Sequence, residues 1–280
     1  MKIFITGIRG FLASHLTRAL EARGHQVRGS GSGVPTAGDL PCIRLGQTID
    51  PALFADADTI IHAAHDFRPG TVENNVTGAR LLFDAARGRR RILISSHSAR
   101  ADAASEYGIS KYRIESFYRE EAETIVRPGL VLGNGGSFGR HLASIRKSPV
   151  IPLIDGGRNS VATLALTDFN EAMVRIVEVN RPGVWNLFNK QGPTMRQIVD
   201  LVLKLTGHRA WVVSIPYGLA LAALRAGEGW LPVDSGSLQS MRLNSHRVHE
   251  SNLRELIAAE TSWQDAIRLA VRRDSELPNS

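Results

Sequence analysis

An α/β fold built on a doubly wound parallel sheet is the class this sequence predicts, and three observations predict it. Short apolar runs rich in β-branched residues alternate with stretches of helical periodicity over much of the chain. The runs are nearly continuous in hydrophobicity, as in Ile92-Leu93-Ile94, which is the pattern of strands buried on both faces. A glycine turn joins the first run directly to the first helical stretch. With 280 residues, 43% hydrophobic and 22% charged, the chain can bury one large core or two modest ones.

The first strand is Lys2–Thr6. After the turn at Gly7 and Gly10, the apolar residues Phe11, Leu12, Leu16 and Leu20 stand near helical spacing, and Gly24 closes that helix. A second strand at 25–28 dissolves into the glycine-serine segment 29–33. Further strands are expected at 42–45, 59–63, 91–95, 124–126 and 184–187, with helices around 71–87, 104–123 and 167–179 between them. Past Pro128 the texture changes to glycine- and proline-punctuated segments with shorter helices such as 194–206. The expected division is a dinucleotide-binding domain over 1–128, with a return near 165–190, and a smaller C-terminal substrate-binding region over 129–164 and 191–280.

Composition excludes several classes. The longest apolar stretch, 211–224, holds Pro216 and falls short of the ~20 residues a membrane-spanning helix needs. The N-terminus turns glycine-rich before a signal-peptide core is complete, so a cytoplasmic protein with no membrane partner is expected. Cys42 is the only cysteine, which excludes an internal disulfide and a cysteine-built metal site, and no metal is expected. The net charge of +7 raises nucleic acid as a partner, yet Lys and Arg are interleaved with Asp and Glu without a basic stripe. Nucleic acid is therefore set aside, and anionic small molecules account for the charge equally well.

Three groups of residues carry chemistry. Glycines between a first strand and a helix let the backbone approach a pyrophosphate, whose charge the helix N-terminus stabilises. The Gly7, Gly10, Ala13 spacing differs from G-x-G-x-x-G, and such a turn can also be merely tight. Tyr107 and Lys111 lie four residues apart on a predicted helix, so the ammonium can sit near the phenol and favour its ionised form, making Tyr107 a usable acid or base. The alternative for this pair is surface decoration. Ser95 and Ser96 end a strand at the edge where open α/β sheets bind ligands; Ser96 can bond a substrate oxygen or simply cap a turn.

Together these residues resemble the extended short-chain dehydrogenase/reductase family, of the NAD(P)-dependent nucleotide-sugar epimerase, dehydratase and ketoreductase type. Residues 6–13 are similar to its T-G-x-x-G-F-x-G/A turn, Ile61-His62-Ala63-Ala64 to its fourth-strand signature, and Asn75-Val76-Thr77-Gly78 with Leu81-Leu82 to its N-V-x-G helix. Ile94-Ser95-Ser96, Tyr107-x-x-x-Lys111, Val126-Arg127-Pro128-Gly129, Asp168 and Val184-Trp185-Asn186-Leu187 follow in the right order. The resemblance implies a Rossmann-type fold in which Tyr107 is the acid/base, Lys111 lowers its pKa and binds the nicotinamide ribose, and Ser96 positions the substrate. It implies a cofactor site of Gly7, Arg9, Gly10, Phe11, Leu12, Ser30, Ser32, Ala63, Ala64, Asn75 and Arg127 together with Tyr107 and Lys111.

The match departs from the pattern in four places. The segment from Ser96 to Tyr107 is short. His97 and Ser98 follow Ser96 where dehydratases of the family carry an acidic pair, which disfavours dehydration; His97 itself reads as a solvated loop residue. The second strand offers Ser30 and Ser32 in place of the acid that anchors a ribose 2′-hydroxyl, and Arg9 can reach a 2′-phosphate instead, so NADP is expected over NAD. The arginine that clamps a substrate diphosphate falls at Val161, leaving Arg158, Arg140, His141 and Arg242 as substitutes. The resulting expectation is a nucleotide-sugar ketoreductase or epimerase that can form a homodimer. The alternatives are an NADPH-dependent reductase of a small carbonyl compound and a non-catalytic dinucleotide sensor.

Overall fold

The computed structural model describes residues 1–31, 41–227, 235–245 and 250–275. The chain divides into two compact units, one of residues 1–127 and 170–186, the other of residues 128–169 and 187–280.

The first unit is organised by six strands in the order β2-β1-β3-β4-β5-β9: β1 Lys2–Thr6, β2 Gln26–Ser30, β3 Thr59–His62, β4 Arg90–Ile94, β5 Thr124–Pro128 and β9 Gly183–Leu187. The pairings of β1 with β2 and β3, of β3 with β4 and of β4 with β5 are all parallel. Ile3, Phe4 and Ile5, and likewise Ile92, Leu93 and Ile94, are buried in succession, as strands covered on both faces must be. The helices are α1 Phe11–Ala22, α2 Val72–Ala85 and α3 Glu106–Glu115, with a short 3-10 turn at Pro51–Phe54 whose Phe54 stands edge-on to Phe4 at 5.0 Å. Because β2 lies on one side of β1 and β3 on the other, the winding reverses at β1, and the strand ends there flank the crevice where such sheets take ligands.

The second unit contains β6 Leu130–Leu132 and β8 Thr163–Ala165 as one parallel pair, and β7 Val150–Ile154 with β10 Trp211–Ile215 as another. Its helices are α4 Gly136–Lys147, α6 Met195–Thr206, α7 Tyr217–Ala226, α8 Ser235–Ser245, α9 Leu253–Leu256 and α10 Trp263–Ser275; α5 Leu166–Val179 carries residues of both units. A core of Phe138, Leu142, Ile151, Leu153, Val202 and Ile267 joins α4, α6 and α10 to the β7 strand. Helix α6 opens with a capping box between Thr194 and Gln197 and ends on left-handed Gly207, which explains its clean limits. The buried Asp168 carboxylate accepts from the Thr261 amide at 2.7 Å and the Thr261 hydroxyl at 2.5 Å.

Three expected elements differ. The strand at 42–45 is a single bridge of Cys42 to Gly31, because the chain turns at once, with Gln47 donating to the Arg44 carbonyl. The helix expected over 104–123 stops at Glu115: the Ser116 hydroxyl takes the Arg113 carbonyl, and the buried Glu123 carboxylate draws in the Arg119 amide at 2.6 Å. The apolar stretch 211–224 is broken at Pro216 into β10 and α7, and among the described residues no helix is long and apolar enough to cross a membrane.

Candidate active site

The ends of β1 and β3 are tied together by one side chain. The Thr6 hydroxyl accepts from the amides of Ala63 and Ala64, each at 3.2 Å. Gly7 has φ +67°, and a Cβ there would stand 2.9 Å from the Ala64 Cα, so any larger residue would force the two loops apart. The Gly10 amide closes the turn onto the Gly7 carbonyl at 2.8 Å, and Gly10 then caps α1 without a side-chain hydrogen bond and with no acid in the first turn. An uncapped helix N-terminus beginning at Phe11 and Leu12 suits an anion such as a pyrophosphate. At the end of β2 the Ser30 hydroxyl is buried and has no partner among the described residues. Arg9 is exposed and its Cδ lies 3.8 Å from where a Cβ on Gly31 would stand, so it overhangs the same strand end. Ser32 lies outside the described residues. An orphaned hydroxyl, an overhanging guanidinium and an open helix terminus together fit a dinucleotide with its adenosine end over β2.

A second cluster sits at the end of β4. Helix α3 starts from a Ser105 cap and presents Tyr107, Lys111 and Glu115 at successive turns of one face. The Tyr107 phenol is hydrogen-bonded to Ser96, whose oxygen also accepts from the Ser98 amide at 3.1 Å, so Ser96 caps a turn and meets the phenol at once. Lys111 is 3% exposed, donates to the Ile94 carbonyl at 2.8 Å and lies 6.0 Å from the centre of the Tyr107 ring. Burial lowers the Lys111 ammonium to about 8, against the opposing pull of the Glu115 carboxylate. Burial also holds the Tyr107 phenol above its ordinary value, with the Ser96 bond acting the other way. The lowering expected from Lys111 does not prevail in this arrangement, because the ammonium faces the ring and bonds a carbonyl while the hydroxyl faces Ser96.

Glu115, His65 and Phe67 escaped the sequence reading. Ser95 is buried and donates to Glu115 at 2.5 Å, and Glu115 in turn receives Arg127 in a two-pronged pair at 2.9 and 2.6 Å. Arg127, which the resemblance gives to the cofactor, is thus committed to a carboxylate. Glu115 was detectable as the next residue on the Tyr107 and Lys111 face; nothing local marked Arg127 as its partner. His97 is buried at 8% exposure, a correction to its reading as a solvated loop residue, since the turn after β4 folds it inward. Asn75 is buried and uses both amide atoms on Asp66, accepting from its amide and donating to its carbonyl, each at 2.8 Å. That bond holds the 65–71 loop against α2. It carries His65 edge-on to Tyr107 at 5.0 Å and stacks Phe67 on the Tyr107 ring at 5.5 Å. Burial and the Lys111 charge keep His62 and His65 neutral, lowered to about 3 and about 2. Of the arginines named for phosphate, Arg140 and Arg158 are exposed on the second unit, and Arg242 lies over the Tyr217 ring at 4.3 Å. Among the described residues no cluster of metal-binding side chains occurs.

Comparison with known proteins bears on this geometry. The sequence model of the NAD dependent epimerase/dehydratase family matches residues 3–187. A ceramide reductase of Caulobacter vibrioides is 28% identical over 254 aligned positions, covering 81% of this chain and 78% of its own. A 4-hydroxy-2-methyl-3-oxo-4-farnesyl-3,4-dihydroquinoline-1-oxide ketoreductase of Stigmatella aurantiaca is 25% identical over 268, covering 81% of this chain and 80% of its own. Among solved structures, a dTDP-4-dehydrorhamnose reductase ortholog from Clostridium acetobutylicum superposes with a TM-score of 0.74 at 16% identity, covering 98% of this chain and all of its own. That likeness shows the fold.

Proposed function

Since the chain belongs to the NAD dependent epimerase/dehydratase family, we propose that it is an NAD(P)-dependent ketoreductase in which Tyr107 delivers the proton, Ser96 holds the reacting oxygen and Lys111 supplies the fixed positive charge. The observation that carries this is the placing of Tyr107 beside Ser96 and one helical turn from the buried Lys111 ammonium, which lies 6.0 Å from the centre of its ring. A proton donor must hold its proton at working pH, and a phenol raised by burial does so, while Lys111 near 8 remains cationic at neutrality. Reduction is favoured over epimerisation because two relatives, at 28% and 25% identity, are named as a reductase and a ketoreductase. Dehydration lacks its acidic pair, since His97 and Ser98 occupy those positions. When bound, the dinucleotide supplies the hydride. Gly7, Gly10, Phe11 and Leu12 would hold its pyrophosphate beside Ala63 and Ala64, Arg9 and Ser30 its adenosine ribose, and Tyr107 and Lys111 its second ribose. Arg9 together with the absence of an acid at Ser30 supports NADP(H) over NAD(H).

For the substrate, the exposed Phe67 ring stacked on Tyr107 offers an apolar surface beside the proton donor. Two curated relatives are named for a ceramide and for a farnesyl-bearing ketone, which supports an apolar carbonyl compound. A nucleotide-linked keto-sugar is the second reading, supported by the dTDP-4-dehydrorhamnose reductase likeness and by Arg140 and Arg158, whose charge a diphosphate would need. The test offers NADPH or NADH with a long-chain ketone and, separately, a nucleotide-linked 4-keto-sugar, and follows loss of the reduced nicotinamide absorbance. Turnover of the long-chain ketone with NADPH is expected. Turnover of the keto-sugar alone would replace the apolar substrate, and no turnover of either would remove the reductase reading.

A further inference from the structure

Two features singled out in the sequence are not used by the chemistry at Tyr107: the net charge of +7 and the apolar stretch beginning at Trp211. In the second unit they meet. Strands β7 and β10 pair in parallel with Trp211 opposite Val150 and Val213 opposite Pro152. Alternation puts these four side chains on one face of the ribbon. The opposite face is ordinary core, with Ile151 and Leu153 buried and Val212 packed against them. The outward face is inverted: Trp211 is 80% exposed, Val150 46% and Val213 45%, and Pro152 is exposed as well. Immediately beyond β10, Leu219 in the first turn of α7 is 66% exposed. Scattered exposed apolar residues mean nothing, but two directly opposed cross-strand pairs with a tryptophan form a contiguous patch.

The charges around it are arranged with equal regularity. Each strand enters the patch from a basic exposed residue, Lys147 before β7 and Arg209 before β10, and Lys204 is exposed near the end of α6. The exposed acid Asp155, which accepts from the Tyr217 amide at 2.9 Å, stands at the opposite end of the ribbon from Lys147 and Arg209. An aromatic and aliphatic face with cations along one border suits the surface of an anionic bilayer, where tryptophan sits at headgroup depth and lysine and arginine meet the negative lipids.

We propose that the outward face of the β7 and β10 ribbon docks this protein reversibly on an anionic lipid surface through Trp211, Val213, Val150 and Pro152, with Lys147 and Arg209 contacting the headgroups. This departs from the expectation of no membrane partner: among the described residues no helix is long and apolar enough to cross the bilayer, and the attachment is interfacial. The surface is independent of the reaction at Tyr107, although an apolar ketone would be found where it docks.

The experiment is co-sedimentation of the full chain, without cofactor or substrate, on phosphatidylcholine vesicles and on vesicles in which about a third of the lipid is phosphatidylglycerol. Binding to the anionic vesicles that falls with added salt is expected, with much weaker binding to phosphatidylcholine alone. Trp211→Ser should weaken it roughly tenfold, and Lys147→Gln and Arg209→Gln roughly fivefold each. Trp211 is exposed, so the melting temperature of the variant reports folding separately. No binding to either vesicle, or unchanged binding by Trp211→Ser, would overturn the proposal. So would a homodimer in sedimentation equilibrium that Trp211→Ser dissociates, since the face would then belong to a second copy. A protein that binds vesicles but reduces no ketone would keep this surface and lose the reductase reading.

Discussion

The end of β4 in the first unit and the outer face of β7 and β10 in the second break the same rule in opposite directions. At β4, Lys111, Glu115 and His62 are buried although their side chains are polar or ionisable; on the ribbon, Trp211 and Val213 are exposed although theirs are apolar. The first inversion is stabilised internally, since Lys111 bonds Ile94, Glu115 bonds Ser95 and Arg127, and His62 meets the Tyr118 hydroxyl at 3.3 Å. The second has no such internal partners and costs the fold little. Buried polar groups are therefore coupled to stability as well as to chemistry, whereas the exposed apolar face is coupled only to whatever it touches.

The largest expected effect lies at the buried end. Tyr107→Phe keeps the ring and removes the proton, so turnover should fall at least ~10²-fold, read by steady-state kinetics. A variant with near-normal turnover would take Tyr107 out of the mechanism. Next is Glu115→Ala, which leaves the Arg127 guanidinium and the Ser95 hydroxyl without their partner and should cost about 3 kcal/mol or more in urea unfolding. The double variant Glu115→Leu with Arg127→Met should recover much of that loss; if the single variant is neutral, the network does not stabilise the fold.

Lys111 gives a pH signature. Its folded value near 8 lies below the ordinary 10.5, so between those values the unfolded chain binds the extra proton. Stability should therefore rise with pH across that window, by at most about 3 kcal/mol, and be lowest below it. Lys111→Met should lack this rise when unfolding is compared at the two ends of the window, and an unchanged slope would show that the ammonium is not desolvated. A smaller effect is expected at Arg9, where Arg9→Ala should narrow the preference for NADPH over NADH by about 1 kcal/mol, measured by calorimetry. Tighter NADH binding by the unaltered protein would reverse the cofactor proposal. Least of all, Trp211→Ser should change unfolding stability by no more than ~0.5 kcal/mol, and a larger loss would mean the ribbon face is packed after all.

The sequence by itself determined what local rules control. Continuous apolar runs gave buried parallel strands, the early glycines gave a turn that only a residue free to adopt positive φ can make beside Ala64, and the i, i+4 spacing placed Lys111 on the face of Tyr107. Tertiary structure decided what depends on distant partners. Periodicity continued the third helix to 123, but the Glu123 carboxylate, held by Arg91, captured the Arg119 amide and ended it early. Spacing put a cation beside the phenol, but burial, which no local pattern reports, set the Tyr107 proton affinity in the opposite direction. The apolar run at 211–224 read as one stretch in sequence, and only the pairing of β10 with β7 showed which of its residues face a core and which face outward. Local propensity fixes where a strand or helix can form, while desolvation and long-range pairing fix what its side chains meet.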